Sequence, residues 1–207
     1  CGAGAYLRPA MRRANLQVLT SAHATRVLFD GGRATGVEFR HGAGIQRAHA
    51  RREVVIAGGA FHSPQLLQLS GVGPARLLGR HGVPVVADLA GVGANLQDHL
   101  QVRVLCRCTQ PITINDVLSS PLRLAGEVAR YLLFRTGMLA AGPFRTGLFA
   151  CSSASPGWPD LQVQFSPVGF KVVTEPAMPY SSFTTSVCLL RPTSRGRVEI
   201  GSPDPFA

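Results

Sequence analysis

The sequence predicts an α/β domain over residues 1–100, followed by an α+β domain with an antiparallel sheet over residues 101–207. Three observations carry that prediction. A β-branched run, Val54-Val55-Ile56, meets a small-residue turn, Ala57-Gly58-Gly59-Ala60, and then an apolar helical stretch, the strand–turn–helix unit of α/β sheets. Ahead of it, Asp30-Gly31-Gly32 and Gly42-Ala43-Gly44 separate short β-rich runs, the pattern of a meander. Beyond residue 101, strands, then a helix, then more strands segregate sheet from helix.

Taken in order, residues 6–14 read as the end of a helix and Asn15 to Leu19 as a short strand. Strands over 25–29 and 34–39 flank the first turn, and 45–50 forms a third, edge-like one. Residues 53–57 read as a buried strand because Val54-Val55-Ile56 is an apolar β-branched run. In the helix that follows, Ser63 suits the N-cap, Pro64 the first helical position, and Gly71 the C-terminal stop. Residues 74–80 form a short helix, and Pro84 makes 83–86 an edge strand.

Val102 to Cys108 alternates like a strand with one wet face, and 111–120 is a polar loop. Leu122, Ala125, Val128, Ala129, Leu132 and Leu133 recur at helical spacing, so 121–134 is an amphipathic helix. Residues 137–147 read as loop, while 160–165, 183–190 and 197–200 read as strands.

Composition narrows the function classes. Hydrophobic content of 45% and charged content of 15% belong to a globular chain. No apolar run approaches the roughly 18 residues that span a bilayer, and the first residues lack the apolar core of a secretory signal. The net charge of +10 invites a nucleic-acid reading, but the cations are scattered arginines without interleaved aromatics, Lys171 being the sole lysine. A solvated surface accounts for them better. A non-catalytic basic module binding nucleic acid or a protein partner is retained as the alternative function.

Cys1, Cys106, Cys108, Cys151 and Cys188 form no Cys-x-x-Cys pair. They read as small buried hydrophobes in a reducing, cytoplasmic compartment. Asp98 and His99 are adjacent and diverge on any regular backbone, so no metal site is expected. Ser63 lacks the Gly-x-Ser-x-Gly setting of a nucleophile and reads as a cap. What remains is the bare strand end: small residues at Ala57, Gly58 and Gly59 would let a ligand lie against the backbone.

Gly59-Ala60, Ser63-Pro64, Leu66-Leu67 and Ser70-Gly71-Val72-Gly73 together resemble a signature of the glucose-methanol-choline (GMC) oxidoreductases, flavin enzymes that oxidise alcohols. Gly91 to His99 resembles the family's G-x-N-L-x-D-H segment. Pro159 to Gln162 and Ser194 to Val198 resemble phrases of its substrate domain. The resemblance implies FAD as cofactor and a small-molecule alcohol as substrate. It also implies a partial Rossmann-like FAD-binding domain over 1–100 and a partial substrate domain over 101–207. Val27 matches a position whose main chain meets the adenine ring, and Ala57 and Gly58 match positions beside the adenosine and pyrophosphate. Cofactor-binding residues are thus expected at Val27, Ala57, Gly58 and Gly59.

Relatives that oxidise choline carry a glutamate at the position of Gln101. The neutral amide here suits uncharged alcohols, although Gln101 equally reads as the polar side of a strand. No Gly-x-Gly-x-x-Gly follows a strand, and none of the six histidines lies in a segment resembling the family's catalytic site. The expectation is therefore an internal piece of such an enzyme, with no catalytic residue of its own and inactive in isolation.

Overall fold

The structure is a computed structural model that describes residues 2–142, 144–154, 157–172 and 175–207; Cys1 lies outside them. The chain divides into two compact units, Cys1–Leu96 with Arg195–Ala207, and Gln97–Ser194.

In the first unit, β1 (Ala22–Asp30), β2 (Arg33–His41) and β3 (Gly44–His49) form an antiparallel sheet in the order β1-β2-β3. Asp30 pairs with Arg33 around Gly31, whose φ of +56° the tight turn requires. The meander expected from the turn residues is therefore present. Thr25 and Val27 of β1 and Phe39 of β2 are buried, whereas β3 is exposed throughout, as an edge strand with a polar surface is.

A short helix, α1 (Arg8–Ala10), precedes the sheet; α2 (Gly59–Leu69) follows it, then β4 (Val72–Gly73), α3 (Ala75–Arg80) and β5 (Ala87–Asp88). β4 and β5 pair in parallel. Leu69, Val72, Leu77, Leu78 and Ile200 complete a small apolar core with Val27 and Phe39.

Five expectations for this unit are corrected. Residues 53–57 form no strand and pair with no neighbour among the described residues, and Val55 is 78% exposed. An apolar run predicts burial, but a strand exists only through a neighbour's hydrogen bonds, which no residue spacing announces. Residues 15–19 likewise run without regular structure. So do 83–86, although the Val86 N–H reaches the Gly71 carbonyl at 2.8 Å.

α2 starts at Gly59, not after Ser63, because Gly59 at φ +75° turns the chain into the helix early. Pro64 then lies inside the helix, where its missing N–H forfeits one ladder bond. The expected stop holds: the helix ends at Ser70, and Gly71 takes φ +86°. Residues 197–200 form no strand; they are held by hydrogen bonds to Gly93 and Gln68.

In the second unit, β6 (Gln101–Arg107), β7 (Thr146–Ala150), β8 (Leu161–Ser166) and β9 (Ser182–Leu189) form an antiparallel sheet in the order β6-β9-β8-β7. Two elements were not expected. α4 (Ile114–Leu118) interrupts the predicted loop, started by a capping box between Thr113 and Asp116. β7 ends what read as loop over 137–147, of which residue 143 lies outside the described residues.

α5 (Pro121–Phe134) matches the predicted amphipathic helix and is capped by Ser120. Its apolar side faces solvent: Leu122 and Leu133 are 84% and 74% exposed. Asn115 braces the unit. Its side-chain amide donates to the Gly169 and Met178 carbonyls, and its oxygen accepts the Gly169 N–H. Cys106, Cys108, Cys151 and Cys188 are free thiols. Among the described residues no helix is long and apolar enough to cross a membrane.

Candidate functional site

The bare stretch after Ile56 opens onto a cavity of about 440 Å³ in the first unit. Val54 to Gly58 form one wall, Ala22 to Ala24 and Val37 of the meander another, and His62, Gln65, Leu66 and Leu69 of α2 a third. The bare segment, the meander and the helix thus converge on one space. The volume falls within the range of about 300–1,000 Å³ for small-molecule sites.

The lining is mainly aliphatic, which suits a flat apolar ring, with polar groups confined to a few points. His62 Nδ1 and Gln65 Oε1 lie 3.0 Å apart one helical turn along α2. Gln65 Oε1 can only accept, so in this contact the His62 Nδ1–H donates. His23 Nε2 lies 3.2 Å from the Pro205 carbonyl, and its ring stacks at 5.2 Å on Phe206, over which the Arg40 guanidinium lies at 3.8 Å. This stack anchors the 203–207 segment beside the cavity.

Of the predicted site residues, Ala57 and Gly58 line the cavity, and Gly59 begins the helix beside them. A β-carbon on Gly58 would stand 3.0 Å from the His62 β-carbon and 3.1 Å from the Ser63 nitrogen, so a side chain there would press on the first turn of α2.

Val27 lies apart from them. It is 2% exposed and lines a separate cavity of about 330 Å³ with Ser70, Pro84 and Val86. Its N–H donates to Ser70 Oγ at 2.8 Å, and Ser70 Oγ donates to the Leu66 carbonyl at 2.5 Å. In an antiparallel ladder a residue's N–H and carbonyl point the same way, so what Val27 can offer a ligand is the carbonyl.

Asn95 takes φ +61°, a left-handed conformation that asparagine tolerates, and Asp98 and His99 are exposed. Among the described residues no cluster of histidine, cysteine and carboxylate could hold a metal ion.

One residue that organises this region escaped the sequence reading. Gln68 is wholly buried; its amide donates to the Val92 and Val198 carbonyls at 3.3 and 3.0 Å, and its oxygen accepts the Ile200 N–H at 2.9 Å. Gly93, at φ +83°, permits this knot, because a β-carbon there would stand 2.1 Å from the Val198 carbonyl oxygen. The signal was present as a lone polar side chain within Leu66-Leu67-Gln68-Leu69.

Two carboxylates in the second unit titrate low. Ser181 and Thr113 donate to Asp116 and hold it below the ordinary value. Ser152 does the same for Asp160, through its hydroxyl at 2.6 Å and its N–H at 2.7 Å. Both brace loops.

Residues 2–101 match the sequence profile of the GMC oxidoreductases. The chain is 42% identical over 204 residues to an oxygen-dependent choline dehydrogenase of Burkholderia pseudomallei, covering 98% of this chain and 36% of that protein. It is also 42% identical over 205 residues to one from Brucella ovis, covering 98% of this chain and 37% of that protein. The chain thus spans little more than a third of the length of these curated relatives.

A formate oxidase of Aspergillus oryzae superposes with a TM-score of 0.86 at 26% identity, over 96% of this chain and 40% of that one. A pyridoxine 4-oxidase from Mesorbium loti superposes at 0.75 and 26% identity, over 99% of this chain and 36% of that one.

Proposed function

The chain belongs to the GMC oxidoreductase family, and from that premise we propose that it forms part of an FAD-dependent oxidoreductase acting on the CH–OH group of an alcohol. The single observation that carries the reading is the cavity against Ala57 and Gly58. Its wall is main chain and small side chains where a nucleotide would need to approach closely.

The residues fit the adenosine half of FAD. Val54, Ile56, Val37 and Leu66 supply apolar walls for a purine, and His62 and Gln65 supply the polar contacts at the rim. The first turn of α2, beginning at Gly59, offers N–H groups without intrahelical partners beside them, while Val27, in the separate cavity, would meet FAD only through its carbonyl. FAD, when bound, accepts hydride from the alcohol carbon. This chain's own share is to hold the nucleotide and keep water from it. We assign it no base. The first unit is read as part of the cofactor domain and the second as part of the substrate domain.

The test is reconstitution of the purified chain with FAD. The reading expects at most weak flavin retention, competed by ADP, and no bleaching on addition of an alcohol. Flavin held without competition by ADP would refute the adenosine assignment, and alcohol-dependent bleaching would refute the assignment of no base.

A further inference from the structure

The four strands of the second unit carry two unlike faces. Cross-strand partners share a face, so the register sorts the side chains. Val102, Val104, Val163, Val187 and Leu148 fall on one side. On the other, Arg103 of β6 is opposite Ser186 of β9, which is opposite Gln164 of β8, with Gly147 beyond it on β7. The next rung along places Gln101, Cys188 and Gln162 side by side. Sheets bury apolar side chains and wet polar ones, yet here Ser186 is 1% exposed and its Oγ has no hydrogen-bond partner among the described residues. A buried hydroxyl left in that state has lost its water and gained nothing, so it points to a group that completes it.

The surroundings define that group. Arg103 is exposed, and its guanidinium donates to Gln101 Oε1 at 3.0 Å, a neutral acceptor; none of the described ion pairs includes it. Within the registered strands no acidic side chain shares this face. The glutamine amides, the serine hydroxyl and the guanidinium together offer an array of donors around one rung. A guanidinium matches the two oxygens of a carboxylate, and a cation placed here would meet its own sign of charge.

We propose that this polar rung is the alcohol-binding surface of the second unit, and that it takes a carboxylate-bearing alcohol, with Arg103 on the carboxylate and Ser186 and Gln164 on the remaining oxygens. The proposal rests on the reading of the second unit as a substrate domain. Gln101 is neutral and Arg103 cationic, so the rung offers nothing that would favour a cation.

Titration of the 15N-labelled chain with lactate and, separately, with choline tests this by NMR. Lactate is expected to shift the Arg103 side-chain N–H and the backbone amides of Gln164 and Ser186, and choline to leave them in place. Arg103→Gln is expected to weaken lactate at least tenfold, Ser186→Ala severalfold without loss of stability, and Arg123→Gln on α5 not at all. Absence of lactate-induced shifts in the unaltered chain, lactate binding that survives Arg103→Gln, or choline shifts at these same amides would each overturn it. FAD retention, measured in parallel, separates the two readings. Flavin bound without lactate shifts sinks the substrate assignment alone, and lactate binding without any flavin affinity sinks the cofactor assignment and leaves this one standing.

Discussion

Gln68 Oε1 accepts the Ile200 N–H at 2.9 Å across 132 residues of sequence, so the helix that leaves the candidate cavity is tied to the last segment of the chain. The same side chain donates to the Val92 and Val198 carbonyls, so one wholly buried amide satisfies three backbone groups.

Gln68→Leu keeps the volume and removes all three bonds, leaving an N–H and two carbonyls buried without partners. The expected loss is about 2–4 kcal/mol, read as a lower midpoint in denaturant unfolding. An unchanged midpoint would mean that water replaces the amide.

Ser70 fastens the same helix to β1 by accepting the Val27 N–H while donating to Leu66. Ser70→Ala orphans a buried N–H and is expected to lower stability by about 1–2 kcal/mol. Amide hydrogen exchange at Val27 should accelerate more than at its neighbours Leu28 and Phe29, which a uniform loss of stability would not produce.

Asp116 links stability to pH. Because donors in the folded state lower its pKa beneath 3.8, the folded protein holds the proton less tightly than the unfolded chain. The stabilisation is therefore fully present above the unfolded value and disappears as pH falls through the folded one. Urea midpoints of the unaltered chain and Asp116→Asn should differ at pH 6 and converge as pH drops below 3.8. A gap that widens in acid would reverse the assigned sign.

Local chemistry made part of this molecule legible. The turn residues around Gly31, the helical spacing from Leu122 to Leu133 and the alternation of Leu161 to Phe165 each specify an element through neighbours in sequence, and each is observed. Pairing partners are remote, so Val54 to Ile56 read as a buried strand but form none, with Val55 exposed and its two neighbours half-buried.

Helix α2 illustrates competition between local signals. Ser63-Pro64 looked like its start, but a glycine at positive φ allowed an earlier one. At the site, the bare Ala57-Gly58 wall was legible because missing side chains are visible in sequence. The Gln68 knot and the Arg103–Ser186–Gln164 rung were not, because they depend on which strands and segments meet.

The most direct test of the account is titration of the chain with ADP, which carries the adenosine and pyrophosphate without the flavin. The account predicts shifts at Ala57, Gly58, His62 and Gln65 and at the other residues that line the cavity, and their loss in Ala57→Phe, which fills the cavity from its exposed wall. Binding that leaves those residues unmoved, or that persists undiminished in Ala57→Phe, would contradict it.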